Sequence, residues 1–293
     1  MTRDVHVRPI PSDLPWTTNC YLVLDGVSVQ SLPQKLYQWS DNPVFEPLYS
    51  GTKWQELLNI SPCVISVGSL NDKIMQAFLA NAGHEWGYLV FTETGLHEVV
   101  RHLRWLLQVE TPEHQTVLLR LADPAVAHQL FAVGNPNFFG PIEHVCIPDG
   151  LEETWHQQQR DGMNPDQDYA LPYRLSSCEM AKLGGVSFRQ TVLELDEHMR
   201  TFFPDYLPTL QGQERYRHLH ALAEQAYQRN LYSKRGILLY ANIFGFLGAQ
   251  ALERHPVIAE RLNATSPQLP DERVEQAAYL AEQHAIAAQG MSS

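Results

Sequence analysis

The chain has 293 residues, 44% of them hydrophobic and 18% charged, which supplies a packed core and is too apolar for disorder. That length suits one large or two small domains. The formal net charge of −12 is shared: 8 basic and 15 acidic residues up to Gly150 give −7, and 13 and 18 beyond it give −5, so neither half is a basic module and nucleic acid is not an expected partner.

Short apolar runs in the first half read as strands: Cys20–Asp25, Cys63–Val67, Tyr88–Thr92, Thr116–Leu121 and Glu143–Ile147. They are β-branched or aromatic and bounded by Gly, Pro or Asn. Helices are predicted between them at Asp72–Ala82, Leu96–Leu107 and Pro124–Val133. The alternation points to an α/β layer with a largely buried sheet. Asp123 before Pro124 reads as an N-cap followed by proline at the first helical position. Arg120, among apolar neighbours, reads as a buried pairing residue.

The second half loses the strands. Ser176 and Glu179 form a capping box for a short helix predicted to stop at Gly184-Gly185. Apolar residues then recur at helical spacing in Phe188–Phe202, Leu219–Tyr227, Arg235–Arg254 and Val274–Ala285. The expected organisation is a mixed α/β lobe over 1–150, a polar linker over 151–171 and a helical lobe over 172–293. The overall class is α+β or α/β followed by a mainly helical lobe.

Gly236–Leu252 is the most apolar run, 17 residues with Asn242 and Gln250 inside it. It is short for a membrane span and reads as the centre of the helical lobe, with Asn242 needing a partner. The charged start, Met1-Thr-Arg-Asp, lacks the apolar stretch of a signal peptide. Cys20, Cys63, Cys146 and Cys178 are far apart and lack a C-x-x-C motif, which suits a reducing compartment. The expectation is therefore a cytoplasmic protein without a membrane segment.

No catalytic, cofactor or metal site is expected. The sequence has no G-x-S-x-G, S-x-x-K, H-E-x-x-H or P-loop pattern. Of its 13 histidines, His218 and His220 sit two apart on a helix and diverge by about 200°. His97 and His102 are also off one face. His144 and Cys146 alternate on a strand without a further ligand at recognisable spacing. His102 and Arg104 likewise diverge on their helix and would not act on one substrate together.

Several segments occur in a telling order: Cys20-Tyr-Leu-Val-Leu-Asp-Gly26, Pro47-Leu-Tyr-Ser-Gly51, Ser61-Pro-Cys-Val64, His102-Leu-Arg104, Leu119-Arg-Leu-Ala-Asp-Pro124 and Phe139-Gly-Pro141. Over Thr18–Pro148 this resembles the type VI secretion effector-adaptor family, also called effector chaperones. That family carries an opening strand of the form YxLlDga, a PyLv strand, an HLR helix and an RfyDP strand–helix junction. Leu121-Ala122 departs from the aromatic pair usual at that junction. The resemblance places Tyr21, Asp25, His102, Arg104, Arg120, Asp123 and Pro124 in family motifs, read here as structural. It implies a non-catalytic adaptor that binds a toxic effector and loads it onto the VgrG spike; the effector's N-terminal segment is expected to bind in a cleft between the lobes, bordered by the Gly236–Leu252 helix and the Tyr227–Tyr232 turn.

An adaptor must expose apolar surface when empty. Tyr227, Tyr232, Tyr240 and Phe244 are the candidates for it, in the Tyr227–Tyr232 turn and the following helix; the same aromatics at helical spacing also suit an ordinary core. The alternative reading is a cytosolic enzyme of acyl or phosphoryl transfer using scattered residues such as Cys63, His102 or Asp123.

Overall fold

The computed structural model describes residues 7–263 and 268–290. The charged start Met1–His6 and the tail Met291–Ser293 lie outside the described residues. The chain divides into two compact units, Met1–Val186 and Ser187–Ser293.

The described residues of the first unit form nine strands. They are β1 (Asn19–Leu24), β2 (Phe45–Pro47), β3 (Cys63–Val67), β4 (Gly87–Thr92), β5 (Gln108–Glu110), β6 (Thr116–Leu118), β7 (His144–Asp149), β8 (Thr154–Gln159) and β9 (Tyr173–Arg174). Its helices are α1 (Leu32–Trp39), α2 (Lys73–Ala80), α3 (Leu96–Leu106), α4 (Pro124–Phe131) and α5 (Pro136–Phe139). A six-stranded sheet has the order β2-β3-β1-β4-β7-β8, and a small sheet has the order β6-β5-β9.

Every pairing in the large sheet is antiparallel. The strand–helix alternation thus does not build parallel crossover units, and the unit is of α+β type with covered faces. Successive side chains of each strand point to opposite faces, and both faces are apolar. Tyr21, Val23, Val64, Tyr88, Val90 and Val145 join the core under α3, α4 and α5. Cys20, Leu22, Cys63, Ile65, Leu89 and Cys146 join a second core under α1 and α2. Burial on both sides is why these strands read as continuous apolar runs.

The segment 151–171, expected as a linker, lies within the first unit. Thr154–Gln159 pairs along the whole of β7 at the sheet edge. Its sequence, TWHQQQ, is polar because an edge strand keeps one side in water, and that composition imitates a loop.

The second unit is helical, as expected. It holds the later part of α6 (Ser177–Phe202), then α7 (Gly212–Tyr227), α8 (Lys234–Leu247), α9 (Ala251–Arg254), α10 (Pro256–Asn263) and α11 (Pro270–Gly290). The capping box forms: Ser176 Oγ accepts from Glu179 N–H at 3.2 Å, and Glu179 Oε2 accepts from Ser176 N–H at 2.7 Å. The helix does not stop at Gly184-Gly185 and runs on as α6. Each glycine there costs about 1 kcal/mol. Packing outweighs that penalty, because Met180, Leu183 and Val186 bury against the first core while Val192, Leu195 and Met199 bury in the second.

The apolar run 236–252 is not one helix. α8 ends at Gly248, whose φ of 83° is a left-handed conformation suited to glycine. No helix among the described residues is long and apolar enough to cross a membrane. Asn242 finds its partner in His198, whose Nε2 lies 2.6 Å from the Asn242 side-chain oxygen.

Candidate functional site

The motif residues of the first unit are ties within the fold. Asp25 follows β1 and is 4% exposed. Its carboxylate accepts from Val27 N–H at 3.1 Å, from the Ser28 hydroxyl at 3.0 Å and from Arg120 Nη2 at 2.7 Å. Arg120 stands beyond the end of β6 and is half-exposed rather than buried. Only its head reaches the buried carboxylate, as a long side chain allows. Asp123 caps α4 by accepting from Ala125 N–H at 3.0 Å, with Pro124 at the first turn. It also lies 3.7 Å from Arg120. Asp25, Arg120, Asp123 and Pro124 therefore meet at one corner.

His102 and Arg104 leave α3 in different directions. His102 is buried, with Nε2 2.9 Å from the Phe138 carbonyl. Burial pushes its pKa down to about 4. Arg104 donates to the carbonyls of Leu48 and Pro47 at 3.2 and 3.0 Å and pairs with Glu46 at 3.1 Å, holding β2 and the turn after it against α3. Tyr21 turns inward from β1 and donates to the Thr94 carbonyl at 3.3 Å. Leu121 and Ala122, where the motif departs from an aromatic pair, are both buried in the α3–α5 core.

The residues of the enzyme alternative do not converge. Cys63 points into the core under α1 and α2, whereas His102 is on α3, which covers the opposite face of the sheet. Burial pushes the Cys63 thiol up to about 12, so it is not a thiolate at neutral pH. Cys20 and Cys146 are pushed up to about 12 by the same cause. Cys146 sits in that same core, and the ring of its strand neighbour His144 packs on Phe91.

In the helical unit the four aromatic candidates separate. Tyr240 is fully buried, donates to Gln225 Oε1 at 3.2 Å and packs edge-to-face on Phe244. Phe244 is buried as well. Tyr240 is a core residue and not exposed surface, a correction that follows from α8 being packed on most sides; Phe244, 6% exposed, packs in the same core and borders a cleft. Tyr227 is partly buried against Phe188 and Tyr232. Tyr232 alone is open, 63% exposed.

A cleft of about 320 Å³ opens beside α7 and α8, lined by Tyr206, His218, Ala221, Leu222, Phe244 and Leu252, with Gln225, Gln250 and Glu253 among its polar groups. Phe244 forms part of its apolar wall while Tyr240 supports Gln225 from behind. His218 Nε2 lies 2.8 Å from the Tyr206 hydroxyl, and burial lowers its pKa. His220 turns away to Phe188 and Glu224, as the two-residue spacing requires. Sequence reasoning missed this cleft because its walls come from four separate segments. It also missed the buried pair of Asp196 and Arg215, 2.6 Å apart.

Residues 20–137 match the family model described as a domain of unknown function, DUF4123. The chain is 30% identical over 271 residues to "Accessory protein VasW" of Vibrio cholerae serotype O1 (strain ATCC 39315 / El Tor Inaba N16961), an alignment covering 92% of this chain and 90% of VasW. No solved structure matches the chain. Similarity through nearly the whole of both chains establishes that the chain belongs to the family of VasW, with a DUF4123 domain over residues 20–137, consistent with the type VI secretion effector-adaptor family that its ordered motifs resemble.

Proposed function

We propose that the protein is a non-catalytic adaptor that holds the N-terminal segment of a type VI effector and loads it onto the VgrG spike. The carrying observation is the similarity to an accessory protein over 92% of the chain. It extends well past residues 20–137 and takes in the helical unit with its cleft. The reading is supported by the commitment of the first unit's ionisable motif residues to the fold: an ion pair with a buried carboxylate and a half-exposed guanidinium, a helix cap and a buried histidine. The apolar wall and polar rim of the helical cleft suit a peptide segment, which needs a place for one or two side chains and partners for its backbone.

The test is co-expression with a VgrG protein and the toxin encoded beside it, followed by purification through a tag on the adaptor. Retention of both partners is expected. Ala221→Trp and Ala249→Trp fill the cleft from exposed positions and are expected to lose the toxin without a change in melting temperature. Purification of the adaptor with neither partner overturns the function. Full toxin retention by both tryptophan variants overturns the placement in the cleft.

A further inference from the structure

We propose that Asp149, Glu152 and His156, at the closed end of the β7–β8 hairpin, form a binding site for a divalent cation of borderline softness, Zn²⁺ being the type case. Their ligand atoms, two carboxylate oxygens and one imidazole nitrogen, all lie within 4.8 Å of one another. The sequence reading expected no metal site, because it searched for histidine pairs and Cys–His pairs. The spacing here is one carboxylate, a second three residues on and an imidazole four beyond that, which becomes a cluster only when the hairpin closes.

The hairpin builds the site before any ion arrives. Asp149 pairs with Thr154 as the last rung of the ladder, and Ile147 pairs with His156. In the four-residue loop between the strands, Glu153 adopts a φ of 54°. Asp149 Oδ1 accepts from the backbone N–H groups of Leu151 and Glu152, both at 2.9 Å. This fixes the carboxylate and directs Oδ2 at His156 Nε2, 3.4 Å away. That separation is long for a charge-assisted hydrogen bond, which prefers about 2.7–2.9 Å. It matches the edge of a tetrahedron of ligands about 2.0–2.1 Å from a zinc ion.

The surroundings hold the ligands still. Gly150 N–H donates to Glu85 Oε1 at 2.8 Å, and Arg8 N–H donates to the Glu153 carbonyl at 3.1 Å. The His156 ring stacks on His128 of α4 with centroids 3.8 Å apart and planes 20° from parallel, which fixes its orientation. Asp149 and His156 are mostly covered, and Glu152 is exposed. An ion there would keep coordination positions toward water, the open arrangement of three protein ligands. One imidazole with two carboxylates favours zinc, nickel or cobalt over soft copper(I) or hard calcium. Such an ion would fasten the edge strand β8 to the end of β7.

The test is calorimetric titration of the full chain with zinc chloride alone, repeated with cobalt(II) to read coordination from its visible absorption. One tight site per chain is expected. His156→Ala, Asp149→Asn and Glu152→Gln should each weaken it by at least about tenfold. Glu152 is exposed, so its variant stays folded and decides the matter if Asp149→Asn does not fold. His284→Ala, which breaks a separate histidine pair with His255, should leave the site intact. No tight site in the wild type, undiminished affinity in Glu152→Gln and His156→Ala, or loss confined to His284→Ala overturns the proposal.

Discussion

Gly140 and His102 fit together only because residue 140 has no side chain: a Cβ placed there would lie 2.3 Å from His102 Cε1. The backbone at Gly140 also has φ 54° and ψ −125°, a conformation open to glycine alone. Two independent constraints therefore select this glycine in the Phe139-Gly-Pro141 turn. Gly140→Ala is expected to destabilise the first unit by about 2–4 kcal/mol, from backbone strain and overpacking together. Denaturant unfolding followed by tryptophan fluorescence measures it; wild-type stability in the variant would refute the account.

His102 gives a pH dependence of defined sign. Its native pKa is lowered to about 4 from 6.5 by burial. Below the unfolded value the unfolded chain takes up a proton that the native state refuses. Stability is therefore complete above pH 6.5, falls as the pH drops toward 4, and stops falling from this cause below that. The full contribution is about 3 kcal/mol. His144 and His218, both lowered by burial, act in the same direction. In His102→Gln the amide can still donate to the Phe138 carbonyl but does not titrate. Unfolding free energies at pH 7.5 and 4.5 should converge by about 2 kcal/mol relative to wild type; an unchanged difference would show that His102 does not carry the decline.

The corner of Asp25, Arg120 and Asp123 separates a tie from a cap. Arg120→Ala leaves Asp25 buried with two of its three donors, and a loss of about 1 kcal/mol is expected, limited by the exposure of the guanidinium. Asp123→Ala removes the α4 cap and should cost about 0.5–2 kcal/mol. The 3.7 Å contact between Arg120 and Asp123 is long and wet, so a double-mutant cycle should give less than about 0.5 kcal/mol of coupling. A larger coupling would mean that the corner acts as one network.

What could be read from sequence followed the strength of local signals. β3 spans Cys63–Val67 as expected, and β1, β4 and α3 differ by a residue or so at their ends, because buried apolar runs and amphipathic stripes declare themselves. The cap at Asp123 and the box at Ser176–Glu179 were equally plain. Thr154–Gln159 was not, since a polar edge strand has the composition of a loop. α6 was cut in two because a Gly-Gly pair signals a stop unless packing on both sides is known. Asp25 with Arg120, 95 residues apart, and the walls of the helical cleft depend on tertiary contacts that no local window contains.

Asp196 and Arg215 form the most demanding electrostatic pair of the helical unit. Their side chains are 8% and 7% exposed, with Nε–Oδ1 2.6 Å, and Arg200 adds a second contact to Asp196 from an exposed position. Asp196→Ala strands the Arg215 charge beside the carbonyls of Tyr206 and Leu207, and a loss of about 3–5 kcal/mol is expected. Arg200→Ala removes an i,i+4 contact made from the solvent side and leaves Asp196 paired with Arg215, so it should change stability by less than about 0.5 kcal/mol. Thermal unfolding of the two variants side by side checks the contrast; equal effects would contradict it.

Tyr232 and Tyr240 answer different questions when mutated. Tyr240 is fully buried under Arg229, whose guanidinium carbon lies 5.3 Å from the ring centre. Tyr240→Ala should cost about 3–5 kcal/mol, so any loss of effector capture would follow from lost structure. Tyr232 is exposed and its hydroxyl donates to Asn230 Oδ1 at 2.9 Å. Tyr232→Ala should change stability by no more than about 0.5 kcal/mol, which makes it a clean probe of the turn. If effector capture falls in Tyr232→Ala while the melting temperature holds, the turn extends the binding surface beyond the cleft. Capture at wild-type strength confines the surface to the cleft walls, where Ala221→Trp should then abolish it.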